Sequence, residues 1–426
     1  MDQSKNSRVR WLLIFWMFVV SAVAYIDRVN ISIAGPEIAN EFHLDDPHLG
    51  LVFSAFVLGY ALFQTPGGAL ADRLGPRKVL GLGVVWWAVF TVMITVVSPA
   101  LGYSLLLLIA IRFALGMGEA VVYPASNCIV ASWIPGRERG IANGIIFAGV
   151  GFGSGMTPPL IAFLKVHYGW RSCFWASAIL GLIAGAVWYF IARNKPSEHP
   201  WVSPGELALI EDGLPPAVAK GKISKLSWGV ILSDKNVWAV TFSYFAYGYV
   251  AWIFFTWFFK YLGTVRKLDL SHSTIYTMIP LLAMGIASPL GGWISDRLTK
   301  QHGKRVGRCY LAAAAIGLCA VLIAIGTLVA SAQAASIVLA AGAGALYISQ
   351  SSFWSISADI GKSSAGSVSG FMNMGGQFGG ALTASLTPWI AKNYGWTASF
   401  LVAACLCATG AIAWLLVKPE YEEEIT

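Results

Sequence analysis

Twelve stretches of roughly 18 to 28 predominantly apolar residues follow one another along the chain, near 11–34, 48–70, 79–98, 102–123, 139–164, 170–193, 236–262, 272–295, 307–330, 334–357, 364–390 and 396–417. A helix needs about 20 such residues to cross a bilayer. Backbone in hydrocarbon must satisfy its own N–H and C=O groups, so runs of this length are expected to be helices. Composition agrees: of 426 residues, 57% are hydrophobic and 12% charged, and the mean hydropathy of +0.66 excludes an ordinary soluble domain. The first run is too long for a signal peptide and is followed by no small-residue cleavage site, so it is expected to be a retained span. The expected fold class is an all-α membrane protein with twelve transmembrane helices.

The chain also repeats itself. Gly67-Gly68-Ala69-Leu70-Ala71-Asp72-Arg73-Leu74 returns as Gly291-Gly292-Trp293-Ile294-Ser295-Asp296-Arg297-Leu298, 224 residues later. Tyr168-Gly169-Trp170 returns as Tyr394-Gly395-Trp396 at an offset of 226, and Gly140, Gly144 and Gly149 return as Gly366, Gly370 and Gly375 at that same offset. Independent landmarks at nearly one spacing predict two six-helix halves, 1–193 and 236–426, related by a pseudo-two-fold axis along the membrane normal, with a site between them at the midplane. Residues 194–235 form the only long polar segment and read as a cytoplasmic linker. In it, Ser203-Pro204-Gly205-Glu206 combines an N-cap serine, a first-turn proline and a glutamate at the third helical position, which predicts a short surface helix to about Asp212. Lys220, Lys222 and Lys225 would lie against anionic headgroups.

Orientation follows from the basic residues. With the N-terminus cytoplasmic, its side collects 21 basic residues, among them Arg73, Arg77, Lys78, Arg137, Arg139, Arg297, Lys300, Lys304, Arg305 and Arg308, against six opposite, Lys165, Arg171, Lys260, Arg266, Lys267 and Lys392. Both termini are therefore expected inside. The net charge of +8 is a topology signal; nucleic-acid binding would need the basic residues on one soluble face.

Against this apolar background, four charges stand out. Arg112 and Glu119 lie in one run, almost two helical turns and about 10 Å apart on one face, and Asp27-Arg28 lies deep in the first. Each costs roughly 2.5 to 3.5 kcal/mol at a helix centre facing lipid, so all four must face a shared polar interior. A planar, permanently charged guanidinium suits a carboxylate ligand, and buried carboxyl groups are plausible proton carriers. The competing reading is that the four are static ion pairs joining two helices. The six cysteines show no Cys-x-x-Cys spacing and the six histidines fall in loops or span ends, so no metal site, catalytic set or cofactor is expected. Gly361-Lys362-Ser363 lacks the earlier glycine of a phosphate loop.

Gly67 to Lys78, with its later copy, resembles the signature loop between helices 2 and 3 of the major facilitator superfamily. Tyr25-Ile26-Asp27-Arg28-Val29-Asn30, Arg112 with Glu119, and Trp133-Ile134-Pro135-Gly136-Arg137-Glu138-Arg139-Gly140 resemble that family's anion:cation symporter branch. The branch includes bacterial uptake systems for galactonate, glucarate and hexuronates, and animal sialic acid and vesicular glutamate carriers. The resemblance spans nearly the whole chain.

It implies a secondary active transporter, not an enzyme, that imports an organic carboxylate by proton symport and alternating access. The first-choice substrate is a sugar acid (hexonate, hexuronate or aldarate); another organic anion, aromatic acid or dicarboxylate, is the alternative, and a proton-coupled exporter a more distant one. Asp27 and Glu119 are implied as the proton-coupling pair, and Arg28 and Arg112 as substrate and gating contacts. Tyr60 occupies the position of a substrate-contacting tyrosine in similar transporters, or is a core aromatic with a satisfied hydroxyl. Ser351, Ser352, Trp354, Asn373 and Gln377 on helices 10 and 11 are further candidate contacts, or amides and hydroxyls that join helices. Asp72, Arg73, Arg77, Asp296 and Arg297 look like interhelix locks on the cytoplasmic face.

The sequence departs from similar sugar-acid symporters where these carry glutamines on helices 5 and 7. It has Gly149 and Tyr244 there, and Tyr244, Tyr247 and Tyr249 could offer phenol hydroxyls and ring faces instead. The chain is expected to work as a monomer in the lipid bilayer of a bacterial cytoplasmic (inner) membrane. A monovalent anion entering a negative-inside cell opposes about 2.3 kcal/mol per 100 mV, which one accompanying proton cancels.

Overall fold

The computed structural model describes residues 7–214, 226–267 and 270–419. They fold into twelve long helices: α1 (Val9–Phe42), α2 (Asp46–Leu74), α3 (Pro76–Val96), α4 (Ser104–Trp133), α5 (Arg139–Tyr168), α6 (Trp170–Ile191), α7 (Lys235–Thr256), α8 (Leu270–Lys304), α9 (Leu311–Leu328), α10 (Ala332–Ile348 continued by Gln350–Gly361), α11 (Ala365–Tyr394) and α12 (Trp396–Leu416). No strand occurs among the described residues.

Tight turns separate neighbouring helices. Gly75, between α2 and α3, has φ +88°, and Gly169 and Gly395, at equivalent points of the repeat, have φ +79° and +87°; such angles strain any residue with a Cβ. A side chain at Gly75 would also collide with Asn194. Two helices are broken mid-span. In α4 regular helix stops at Glu119 and resumes at Val122, where Pro124 supplies no N–H to the preceding turn. In α10 the break is at Ser349, whose Oγ donates back to Leu346 O at 2.6 Å.

The packing partners repeat as the sequence does. In the first half α1 packs on α5 and α6, α2 on α4, and α3 on α6; in the second, α7 packs on α11 and α12, α8 on α10, and α9 on α12. Two extensive contacts cross between halves, α2 with α11 and α5 with α8, and these also exchange under a six-helix shift. Leu82, Leu106, Phe190, Ile286, Leu328 and Leu416 are exposed, which is costly in water and expected of a lipid-facing surface.

With an even number of crossings the start of α1 and the end of α12 share one end of the bundle, here called the linker face. The helix Pro204–Asp212 docks there. Ser203 caps it, accepting from Glu206 N at 3.2 Å, while the Glu206 carboxylate turns to the start of α1 and accepts from Val9 N (3.0 Å), Arg10 N (3.1 Å) and Ser7 Oγ (2.6 Å). It thus satisfies open N–H groups at a helix N-terminus, where negative charge is favoured. Lys220, Lys222 and Lys225 lie outside the described residues.

Candidate functional site: a charged cavity between the halves

The far-face half of the bundle, away from the linker face, contains a cavity of ≈ 1100 Å³, the size class of small-molecule sites. Its lining comes from the second half of α1, the first halves of α2 and α4, the second half of α7 and the middle of α11, with Phe147, Val150 and Ser154 from α5, Tyr347 and Gln350 from α10, and Leu281 from α8.

The wall contributed by the first half carries the charge. On α1, Tyr25 and Arg28 are one turn apart and both reach the cavity. The Arg28 Nε donates to Glu119 Oε2 at 2.6 Å, and the guanidinium lies 4.0 Å over the Tyr60 ring and 4.8 Å from that of Tyr25, adding cation–π attraction. Arg112 sits 4.6 Å over the Phe56 ring; its Nε and Nη1 are buried and make no hydrogen bond. Behind the arginines lie the carboxylates. Asp27 Oδ2 accepts from Thr91 Oγ1 at 3.1 Å, and Asp27 and Glu119 stand beside each other. Asp27 Oδ1 and Glu119 Oε1 are both buried without a donor. Two buried acceptor atoms lacking protein donors are costly, and a proton on one of the carboxyls would relieve that.

The wall from the second half carries no charge among the described residues: Trp252, Phe254, Phe255 and Phe378 line it together with tyrosines and amides. Tyr244 and Tyr247 stack, centroids 5.1 Å apart and planes 7° apart. The Tyr244 hydroxyl accepts from Gln350 Nε2 (3.1 Å) and Trp354 Nε1 (3.3 Å). Asn373 Nδ2 donates across the halves to Gln64 Oε1 at 2.9 Å. An aromatic layer closes the cavity towards the linker face: Tyr123 stacks on Phe147 at 4.7 Å, and Trp354 packs on Phe147 at 4.9 Å.

Below that layer the two halves meet at paired crossings. Asp72, at the end of α2, accepts from Gly366 N (2.9 Å), Ser367 N (2.7 Å) and Ser367 Oγ (2.6 Å) at the start of α11. Asp296, near the end of α8, accepts from Gly140 N (2.9 Å) and Ile141 N (2.7 Å) at the start of α5. Each aspartate therefore closes the N-terminus of a helix in the opposite half, a charge–dipole contact. The backbones touch because Gly68 faces Gly366 and Gly292 faces Gly140; a Cβ at any of the four would collide with the opposing chain. An ion pair between Arg139 and Asp359, joined by Lys304 at 3.4 Å, also bridges the halves. Arg308 braces Asp296 at 2.7 Å.

Of the residues expected at the site, Arg28, Arg112, Tyr60, Tyr244, Asn373 and Gln377 line the cavity. Asp27 and Glu119 lie directly behind it. Ser351, Ser352 and Trp354 are fully buried outside the lining: Ser351 donates to Ser288 O on α8, and Trp354 acts through the Tyr244 hydroxyl. The break at Ser349 resets the helical phase and turns Gln350 to the cavity instead. Tyr249 also faces away, towards Thr387. Among the expected locks, Asp72 and Asp296 bridge the halves, but the arginines do not. Arg77 bonds Tyr189 O within the first half, and Arg73 and Arg297 are exposed, the latter over its own helix's Trp293. Sequence reasoning missed Tyr25, Tyr123, Tyr347 and Gln350 in the lining, and Arg139, Asp359 and Arg308 at the closure. Only Tyr25 carried a usable signal, one turn from Arg28. Gly149 presses on α1 at Phe18 and Ser21, so no longer side chain fits there.

Comparison with known proteins agrees with this architecture. The sequence profile of the Major Facilitator Superfamily matches residues 17–384 and 361–426. The chain is 32% identical over 416 residues to a probable sulfoacetate transporter of Cupriavidus necator, covering 97% of this chain and 94% of the relative. It is 30% identical over 413 residues to a hexuronate transporter of Bacillus subtilis, covering 96% and 94%. The solved proton:xylose symporter XylE superposes with a TM-score of 0.75 at 15% identity, covering 97% of each chain.

Proposed function

Because the chain belongs to the major facilitator superfamily of membrane transporters, we propose that it imports an organic carboxylate, foremost a sugar acid, in symport with protons by alternating access. The observation that carries this reading is the Arg112 guanidinium on the cavity wall, its Nε and Nη1 unpartnered, in front of two adjoining buried carboxyls. A substrate carboxylate bound to Arg112 and Arg28 competes with Glu119 for the Arg28 fork. Protonation of Glu119 frees that fork, and protonation of Asp27 removes a negative charge facing Arg112, so proton and anion bind together. The relatives' names, hexuronate and sulfoacetate transporter, support an organic anion as cargo. The tyrosines of the second half favour a second reading, an aromatic acid, through their ring faces.

In this reading residues 1–193 and 236–426 are the two moving halves, 194–235 is their linker, and Asp72 and Asp296 are gate residues that release when the linker face opens. The basic flanks support a bacterial cytoplasmic membrane with both termini inside, which makes the structure outward-facing. One chain holds a complete cavity, consistent with a functional monomer. The test is uptake into proteoliposomes carrying the full chain under an imposed pH gradient, across sugar acids and aromatic acids. Accumulation that follows the gradient and is lost in Arg112→Ala supports the proposal; uptake indifferent to both removes it.

A further inference from the structure

We propose that the cavity selects anions with a single carboxylate on a ring and discriminates against dicarboxylates. This rests on the organic-anion reading above.

Charge supplies the first argument. Among the described residues lining the cavity, cationic side chains occur only at Arg28 and Arg112, both on the first half's wall. Arg28 is already bonded to Glu119, and Arg112 has Asp27 and Glu119 as its charged neighbours besides Arg28. Two arginines and two carboxylates sum to zero, so one added proton leaves a single positive charge for the guest. The facing wall offers Tyr244, Tyr247, Tyr347, Gln350, Asn373 and Gln377, hydrogen-bonding groups without charge. A second carboxylate several ångströms from the first would reach that wall and find no cation, and a desolvated unpaired charge is strongly unfavourable.

Shape supplies the second. Trp252, Phe254, Phe255 and Phe378 line the second wall beside Tyr244 and Tyr247, whose rings stack on each other; one face each of Tyr25 and Tyr60 is already covered by Arg28. Flat aromatic faces receive the faces of a pyranose or an aromatic ring better than a flexible chain, which loses more rotamer freedom on binding. Polar capacity on the second wall is limited. The Tyr244 hydroxyl is engaged by Gln350 and Trp354, leaving the Tyr247 hydroxyl, Gln350 Oε1 and Gln377 Oε1 unpartnered. Those groups suit a few ring hydroxyls.

Two pairs of probes test the second acid group: benzoate with terephthalate, which adds it across an unchanged ring, and D-galacturonate with galactarate, which adds it and opens the ring. Binding to the purified full chain at pH 7.5 is read by tryptophan fluorescence, and entry by uptake into proteoliposomes. In whichever pair binds, the monoacid is expected to bind at least about tenfold more tightly than the diacid. Gln377→Lys, which adds a cation to the uncharged wall, is expected to narrow that gap. A diacid that equals or exceeds its monoacid partner overturns the inference while leaving the organic-anion function standing. Failure of all four to bind or enter overturns both.

Discussion

At the scale of single residues, the four charges are the part of the site most legible in the sequence, because a charge inside an apolar span is too costly to face lipid. Their geometry separates their roles. Arg112→Ala removes a guanidinium whose Nε and Nη1 make no hydrogen bond in the protein, so anion binding should weaken at least about a hundredfold as read by fluorescence titration, while loss of the countercharge beside Asp27 and Glu119 should lower the melting temperature unless one of them takes up a proton. Glu119→Gln keeps an acceptor for Arg28 Nε but cannot take up a proton. It should abolish accumulation driven by a pH gradient while substrate exchange at equal pH persists, as radiolabel counterflow would show. Less legible was the orientation of Ser351 and Ser352, since the break at Ser349 has no proline to announce it. The partnership of Arg139 with Asp359 was hidden because only folding brings together residues so far apart in sequence.

At the scale of helices, closure of the linker face depends on glycine faces as much as on charge. The repeat showed where Gly68, Gly140, Gly292 and Gly366 recur, but not that they oppose each other across the halves; that needs the packing of α2 on α11 and α5 on α8. Gly68→Val with Gly292→Val should hold this face ajar. In a variant keeping Cys128 as its only cysteine, maleimide labelling of that buried thiol, now bonded to Asp72, should rise severalfold. The linker adds a pH-dependent element. His199 Nε2 contacts Ile191 O at 2.8 Å, its Nδ1 accepts from Trp201 N at 3.1 Å, and its ring packs on Trp133. Burial lowers its pKa below 6.5. A lowered folded-state value means the native form binds fewer protons than the unfolded one. This contribution to docking is therefore present above about pH 6.5 and is lost as pH falls through the folded value. Limited proteolysis of residues 194–235 should accelerate as the pH is lowered from 7 to 5, and His199→Gln should flatten the change.

At the scale of the whole molecule, twelve spans and two halves could be read from apolar run length and the repeated landmarks alone, because a bilayer leaves the backbone few choices. The working cavity could not, since its lining is assembled from eight helices whose rotations depend on packing. The cavity is asymmetric, with charge on one wall and none on the other; on the proposed function the first half would couple and hold the anion and the second would shape its body. The most direct measurement is proton entry recorded together with anion entry in proteoliposomes, using an internal pH dye. The account predicts internal acidification in step with uptake, at least one proton per monovalent anion, and its disappearance in Glu119→Gln. Anion accumulation with no proton entry in the unaltered protein would contradict it.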